Sequence, residues 1–297
     1  MSTFYSTLLA YPRVIRLTYV LLALATPLAL AISRALPPAT ERIELRDGRF
    51  GLFVLGPPGA PVLVVLHAAL GSARAAIEES GFATAARRHG LSVVFGESRD
   101  GVWRFKGLNG SDDRSDEAYV WELLSAVQAR AGATRAYIAG ESNGGLLALQ
   151  LVCRFPELFA GLGLINAAMP EGLAPECPAL PSRMVVVNGD RDPVFPFLGG
   201  DGTLPLGPVM GFNKLGDRLL KERDCVAFAR RPLAASRPGA ALVTRIEAVG
   251  CQRQGVTRLY QLHGGDHRPW GGESWLWRII APWGRFLAPE AVVEGLV

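Results

Sequence analysis

Lysine is almost missing from this chain. Only Lys106, Lys214 and Lys221 stand among 31 basic residues, and arginine supplies the rest, which reads as a coding bias rather than an anion-binding design. No run of five like charges occurs and the formal net charge is only +4, so no nucleic-acid partner is expected. The four cysteines show no CxxC spacing and no clustering with the four histidines, which argues against a zinc site. Internal repeats and low-complexity linkers are lacking as well. The 34 glycines and 21 prolines are scattered, and they point to many tight turns. What is present is ordinary globular composition, 49% hydrophobic and 20% charged over 297 residues. That excludes disordered, collagen-like and coiled-coil chains and leaves enough apolar material for one large core.

The longest apolar run lies near the N-terminus. Arg13 and Arg16 precede Leu17–Ile32, broken only by Thr18, Thr26 and Pro27 and ending in Ala29-Leu30-Ala31. A positive flank, an apolar stretch and small residues before a cleavage point are the layout of an export signal, so residues 1–31 are expected to be a signal peptide. The run is short for a membrane span of about 20 residues. An uncleaved N-terminal membrane anchor and a buried N-terminal helix are the alternatives. Residues 40–297 are then expected to form a single domain, secreted or periplasmic, or held at a membrane by the N-terminal segment. Cys153, Cys177, Cys225 and Cys251 all lie beyond that segment. An even number in an exported chain is compatible with two disulfides, and the sequence allows three pairings; four buried thiols in a cytosolic core is the other reading.

From residue 50 onward, short β-branched runs alternate with helix-length amphipathic stretches, the pattern of an α/β fold with a mostly parallel central sheet and helices on both faces. Strands are expected at Phe50–Leu55, Val62–Leu66, Leu91–Phe95, Ala136–Ala139, Gly161–Ile165, Met184–Val187 and Arg258–Leu262. Helices are expected at Ala73–His89, Asp116–Ala131, Gly144–Arg154, Asp217–Arg230 and Glu273–Phe286. Gly90 reads as a helix C-cap, making His89 a solvent-side cation at a helix terminus. Gly199–Gly216, rich in glycine, reads as a long surface loop able to wall a cleft.

The chemistry concentrates at Gly140-Glu141-Ser142-Asn143-Gly144-Gly145, which joins a strand to a helix. GxSxG in that context is a nucleophile elbow: the serine takes a strained turn, and glycines flank it because side chains there would strike the strand and helix. By itself the junction would also suit Ser142 as a helix N-cap. A serine hydroxyl needs a base to take its proton and an acid to hold that base, and in this fold they follow in the order serine, acid, histidine. Only His263 and His267 lie downstream. His267 is preferred, since Gly264 and Gly265 give its loop the freedom to reach Ser142, while His263 at a strand end suits a structural role. Between serine and histidine, Asp190 and Asp192 follow an apolar strand. Asp192 is preferred because it stands further out and is stiffened by Pro193, whereas Asp190 suits an Asx turn. Asp266 is expected to be solvated or to act as a minor electrostatic influence on the base. Two backbone donors for a developing oxyanion are expected from Asn143 and from Ala68 or Ala69, with His67 a buried support for that loop.

These residues resemble the α/β-hydrolase esterases of the polyhydroxybutyrate depolymerase and feruloyl esterase type. The resemblance spans roughly residues 45–285 and is carried by Leu66-His67 with Gly71-Ser72, Asp112-Asp113, Gly140 to Gly145, Gly189 with Asp192-Pro193, and Gly264 to His267. It implies an oxyanion loop, a structural acidic pair, the elbow, the triad acid and the triad histidine at those positions, secretion, and pairing of Cys153 with Cys177 and of Cys225 with Cys251. Three departures stand out. His67-Ala68 replaces histidine–glycine, Asp266 replaces the glycine before the triad histidine, and Pro269-Trp270 shifts the pocket aromatic, Trp270, by one position.

The expected function is a serine carboxylesterase acting on a small-molecule or oligomeric ester: short polyesters, aromatic acyl esters such as feruloyl sugars, or simple short-chain esters. The mechanism requires no metal and no organic cofactor. With no substrate-binding domain or Ser/Thr-rich linker after residue 286, soluble substrate is favoured over solid polymer. A peptidase or lactone hydrolase using the same triad and a non-catalytic binding protein are the alternatives. Oligomeric state is left open.

Overall fold

Runs such as Val62-Leu63-Val64-Val65-Leu66 carry no polar alternation, so as strands they need cover on both faces. In the computed structural model, which describes residues 40–106, 113–203, 207–233, 242–268 and 286–297, they have it. The strands in chain order are β1 (Thr40–Glu44), β2 (Phe50–Val54), β3 (Val62–Leu66), β4 (Ser92–Gly96), β5 (Ala136–Glu141), β6 (Gly161–Ile165), β7 (Arg183–Gly189), β8 (Gly200–Asp201), β9 (Pro208–Val209), β10 (Ala227–Leu233), β11 (Val243–Val249) and β12 (Val256–Leu262). The helices are α1 (Ala73–Glu79), α2 (Phe82–Arg88), α3 (Ser115–Ala131), α4 (Asn143–Arg154), α5 (Phe212–Arg223) and α6 (Ala288–Leu296).

Among the described residues one sheet runs in the order β1-β2-β4-β3-β5-β6-β7-β12-β11-β10. The six strands from β4 to β12 are parallel, and both margins are antiparallel. This is the α/β-hydrolase fold. Side chains alternate across the sheet as the strand period dictates. Val62, Val64, Leu66, Ile138, Leu162 and Leu164 join one buried cluster with residues of α3 and α4. The intervening Leu63 and Val65 point to the other side, where α1, α2 and α6 pack against the sheet. From β3 the chain first runs outward to β4 and later returns past β3 to β5, so the connection reverses between β3 and β5. At such a reversal the loops leaving the strand ends diverge and open a crevice. The loop after β3 and the turn after β5 are the segments that meet there.

Several expected elements differ in the structure. The helix expected at Ala73–His89 is two helices, because Gly81 sits at φ +88° and breaks the run. His89 caps α2 and lies 3.1 Å from a carboxyl oxygen of Glu290 on α6, so it is paired rather than merely solvated. The helix expected at Asp217–Arg230 starts five residues earlier and ends at Arg223, where Asp224 turns left-handed; residues 227–230 begin the edge strand β10. Gly199–Gly216 holds the short β8–β9 ladder and the first turn of α5. Strands β1, β10 and β11 and helix α6 had no sequence signal. The strands are partly exposed and rich in charge, and sheet pairing rather than an apolar run makes them strands. Of the other expected strands, Val62–Leu66 and Gly161–Ile165 keep their limits and the rest shift by one or two residues. The helix expected at 273–286 and Trp270 lie outside the described residues, apart from Phe286.

Both disulfides implied by the resemblance are formed. Cys153 at the end of α4 pairs with Cys177, and Cys225 pairs with Cys251 across the open end of the β10–β11 hairpin. Among the described residues no helix is long and apolar enough to cross a membrane.

Candidate active site

Ser142 lies between the end of β5 and the start of α4 with φ +51° and ψ −118°, a region that non-glycine residues avoid. The turn is held because nothing else fits around it. A Cβ on Gly140 would lie 2.4 Å from the Gly144 backbone, and one on Gly144 would lie 2.4 Å from the carbonyl oxygens of both Leu66 and His67. Gly145 is equally constrained, its hypothetical Cβ 2.6 Å from Ala167. The glycines therefore let α4 press against β3 and β5 and hold the serine at the turn; Ser142 is largely buried, with only 6% exposure.

The hydroxyl has a partner from far along the chain. Ser142 Oγ lies 2.9 Å from His267 Nε2, and His267 Nδ1 lies 2.8 Å from Asp192 Oδ2. The Asp192 side chain has no exposure. Its other oxygen, Oδ1, accepts from the backbone N–H groups of Val194 at 2.8 Å and Phe195 at 3.0 Å, so the carboxylate is fixed in place before the imidazole meets it. The Phe195 ring packs 5.6 Å from the imidazole.

The other two candidates pair with each other. His263 Nδ1 lies 3.2 Å from Asp190 Oδ2, and its Nε2 meets the Thr244 hydroxyl at 2.9 Å. Asp190 also accepts from the Gly264 N–H at 2.7 Å, which shapes the loop carrying His267. Asp266 is not merely solvated: Arg268 holds it at 2.8 Å, and this pairing keeps its carboxyl below the usual carboxylate range.

The loop after β3 is tied to the elbow. His67 donates from Nδ1 to the Ala68 carbonyl at 2.7 Å and accepts at Nε2 from the Ser98 N–H at 3.3 Å, which fixes one tautomer. Burial pushes its pKa down, so the ring is a neutral support. The Trp103 indole donates to the His67 carbonyl at 2.9 Å, while the Asn143 side chain accepts from the Trp103 N–H at 2.7 Å and donates to its carbonyl at 3.2 Å. That clasp carries no sequence signal, because Trp103 and Asn143 lie 40 residues apart. A turn closed by Gly71 N–H on the Ala68 carbonyl follows, with Leu70 at φ +63°. Among the described residues, no backbone acceptor takes the Ala68 or Ala69 N–H.

Two more residues complete the site. Glu141, just before the serine, is desolvated, and that pushes its carboxyl up to about 7; His267 and the Asn166 amide act in the opposite sense. Asn166 follows β6, is fully buried, and donates from Nδ2 to the Arg268 carbonyl at 3.0 Å. The strand end was visible in the sequence, but its reach to residue 268 was not.

The comparisons with known proteins bear on this geometry. The family model described as Esterase PHB depolymerase matches residues 50–194, a span that includes the β3 loop, the elbow and Asp192. "Putative esterase NocK" from Nocardia uniformis subsp. tsuyamanensis is 30% identical over 244 residues, covering 75% of this chain and 69% of that protein. The chain belongs to the esterase family of the polyhydroxybutyrate depolymerase type. This chain is accordingly a hydrolase acting on esters. An acetyl xylan esterase from Aspergillus awamori superposes with a TM-score of 0.52 at 14% identity, covering 77% of this chain and 94% of that one, which bears on the fold alone. An S-formylglutathione hydrolase from Agrobacterium tumefaciens gives 0.49 at 16% identity, with 87% and 95% covered. Of the family's acidic pair, Asp112 lies outside the described residues and Asp113 accepts from the Ser115 N–H at 2.9 Å, at the start of α3. The departure at Ala68 falls on the loop that the Asn143–Trp103 clasp supports.

Proposed function

We propose that this esterase is a serine carboxylesterase working through Ser142, His267 and Asp192. The observation that carries the reading is the continuous chain of contacts, Ser142 Oγ to His267 Nε2 at 2.9 Å and His267 Nδ1 to Asp192 Oδ2 at 2.8 Å. Ser142 Oγ attacks the ester carbonyl while His267 Nε2 takes its proton. The N–H groups of Asn143 and of Ala68 or Ala69 stabilise the negative oxygen of the tetrahedral intermediate. Collapse breaks the ester C–O bond, His267 returns the proton to the departing alcohol, and an acyl-serine remains. Water, deprotonated by His267, then releases the acid and restores Ser142. Asp192 keeps the imidazole in the tautomer with the proton on Nδ1. No metal or cofactor takes part.

The substrate is a small-molecule or oligomeric ester, with short-chain and aromatic acyl groups both within the reading and no nucleic acid involved. Residues 40–297 act as one catalytic domain, with Trp270 contributing to the acyl pocket. Two disulfides fit an oxidising compartment, supporting export of the chain or its retention at a membrane by residues 1–31. A fluorophosphonate probe tests the chemistry: it labels the wild type and leaves Ser142→Ala unlabelled, with loss of nitrophenyl-acetate hydrolysis. Equal labelling of both proteins ends the reading. Hydrolysis of an anilide as fast as the matching ester would turn it toward a peptidase.

A further inference from the structure

His267 is carried by a loop with little rigidity of its own. Gly264 is left-handed at φ +74°, with open space where a Cβ would stand. Two backbone anchors hold the loop on either side of the imidazole. Before it, the Arg191 N–H donates to the Gly265 carbonyl at 2.9 Å. After it, the Arg268 carbonyl accepts from Asn166 Nδ2 at 3.0 Å. Asn166 is itself firmly placed: it has no exposure, its N–H donates to the Val187 carbonyl at 3.0 Å, and it sits at φ +49°, a conformation asparagine tolerates better than most residues. Its Oδ1 is buried with no partner in the described structure, and the Glu141 carboxyl lies beside the same amide.

We propose that Asn166, supported by Glu141, is a positioning residue that latches the His267 loop over Ser142. The inference rests on the serine-esterase reading and adds to it two side chains outside the Ser142–His267–Asp192 contact chain. The geometry explains why a buried amide occupies a left-handed strand end. One N–H ties down the carbonyl next to the base, and the same amide also hydrogen-bonds the Glu141 carboxyl. An imidazole displaced by about 1 Å would lose its contact with Ser142 Oγ, and misplacement of that size costs on the order of 100-fold in rate.

Asn166→Gly is the test, because glycine keeps the left-handed backbone and removes only the amide. The variant should melt within a few degrees of the wild type. On nitrophenyl acetate, kcat should fall about 10- to 100-fold with KM changed less than about threefold. Fluorophosphonate labelling of Ser142 should slow in parallel. Glu141→Ala should show a smaller loss of the same kind, and Glu141→Gln, which can still bond the amide, should restore it. If Asn166→Gly does not fold, Asn166→Asp carries the same expectation, since it keeps the shape and replaces the N–H donor by an acceptor. A folded variant with wild-type kcat and labelling rate overturns the latch. Full hydrolysis by Ser142→Ala would instead overturn the reading beneath it, so the two failures are distinguishable.

Discussion

Replacing Asp192 by asparagine tests the relay at its most buried point. One oxygen accepts two backbone N–H groups, at 2.8 and 3.0 Å, and the other faces His267 Nδ1 at 2.8 Å. Asparagine has one acceptor and one donor to put in these two places. With its N–H₂ toward Val194 and Phe195, two buried donors would lose their acceptor, at roughly 1–3 kcal/mol each. With its oxygen kept there, only the contact to the imidazole changes, so this orientation wins. The N–H₂ then points at Nδ1, which must become an acceptor, and the ring proton moves to Nε2. In that tautomer Nε2 donates to Ser142 Oγ and no longer takes its proton. Asparagine at the acid of such a triad lowers kcat by roughly 10⁴, or about 5.5 kcal/mol of transition-state stabilisation. Initial rates on nitrophenyl acetate across pH, with a thermal melt as control, give the measurement. A well-folded Asp192→Asn enzyme within tenfold of wild-type kcat would refute the tautomer argument.

Gly144→Ala should cost several kcal/mol and abolish hydrolysis, because its Cβ would lie 2.4 Å from two β3-end carbonyl oxygens that have no room to retreat; urea denaturation and the nitrophenyl assay check this. Removing the Cys225–Cys251 bridge as the double serine variant should lower stability by about 3.5 kcal/mol, from loop-closure entropy over a separation of 26 residues, read by the urea midpoint. Glu141 makes stability depend on pH. Its folded carboxyl keeps a proton up to about 7, against an ordinary value of 4.5, so between those values the folded state binds more protons than the unfolded one. Stability from this group therefore falls as pH rises through that window, by about 3 kcal/mol at most. Glu141→Gln should flatten the difference between urea midpoints at pH 4.5 and pH 7, and an unchanged difference would count against the desolvation.

Legibility in the sequence followed the range of the forces. The elbow could be read directly because its requirement is local and steric: Gly140, Gly144 and Gly145 leave no room for a Cβ at the crossing of β5, α4 and β3. Buried parallel strands such as β3 and β6 were equally plain, since both their faces must be apolar. The marginal strands β1, β10 and β11 were not, because their charged, half-exposed residues are strands only by pairing with neighbours. Helix α6 is nine residues long, too short for a clear helical period, and its burial is set by the sheet face it covers.

The sequence alone determined that a serine would stand at a strained strand–helix turn, and chain order narrowed its partners to two aspartates and two histidines. It favoured Asp192 and His267 by their place in the loops but could not exclude Asp190 and His263, which form a second acid–imidazole pair in the fold. Contacts spanning 125 and 75 residues settle which pair faces the hydroxyl, and they exist only once the sheet order has brought the ends of β5, β7 and β12 to one edge. The same holds for Asn166, whose partner is 102 residues away. Sterics between chain neighbours are written in the residues themselves, whereas hydrogen-bond partners across the sheet are fixed by topology.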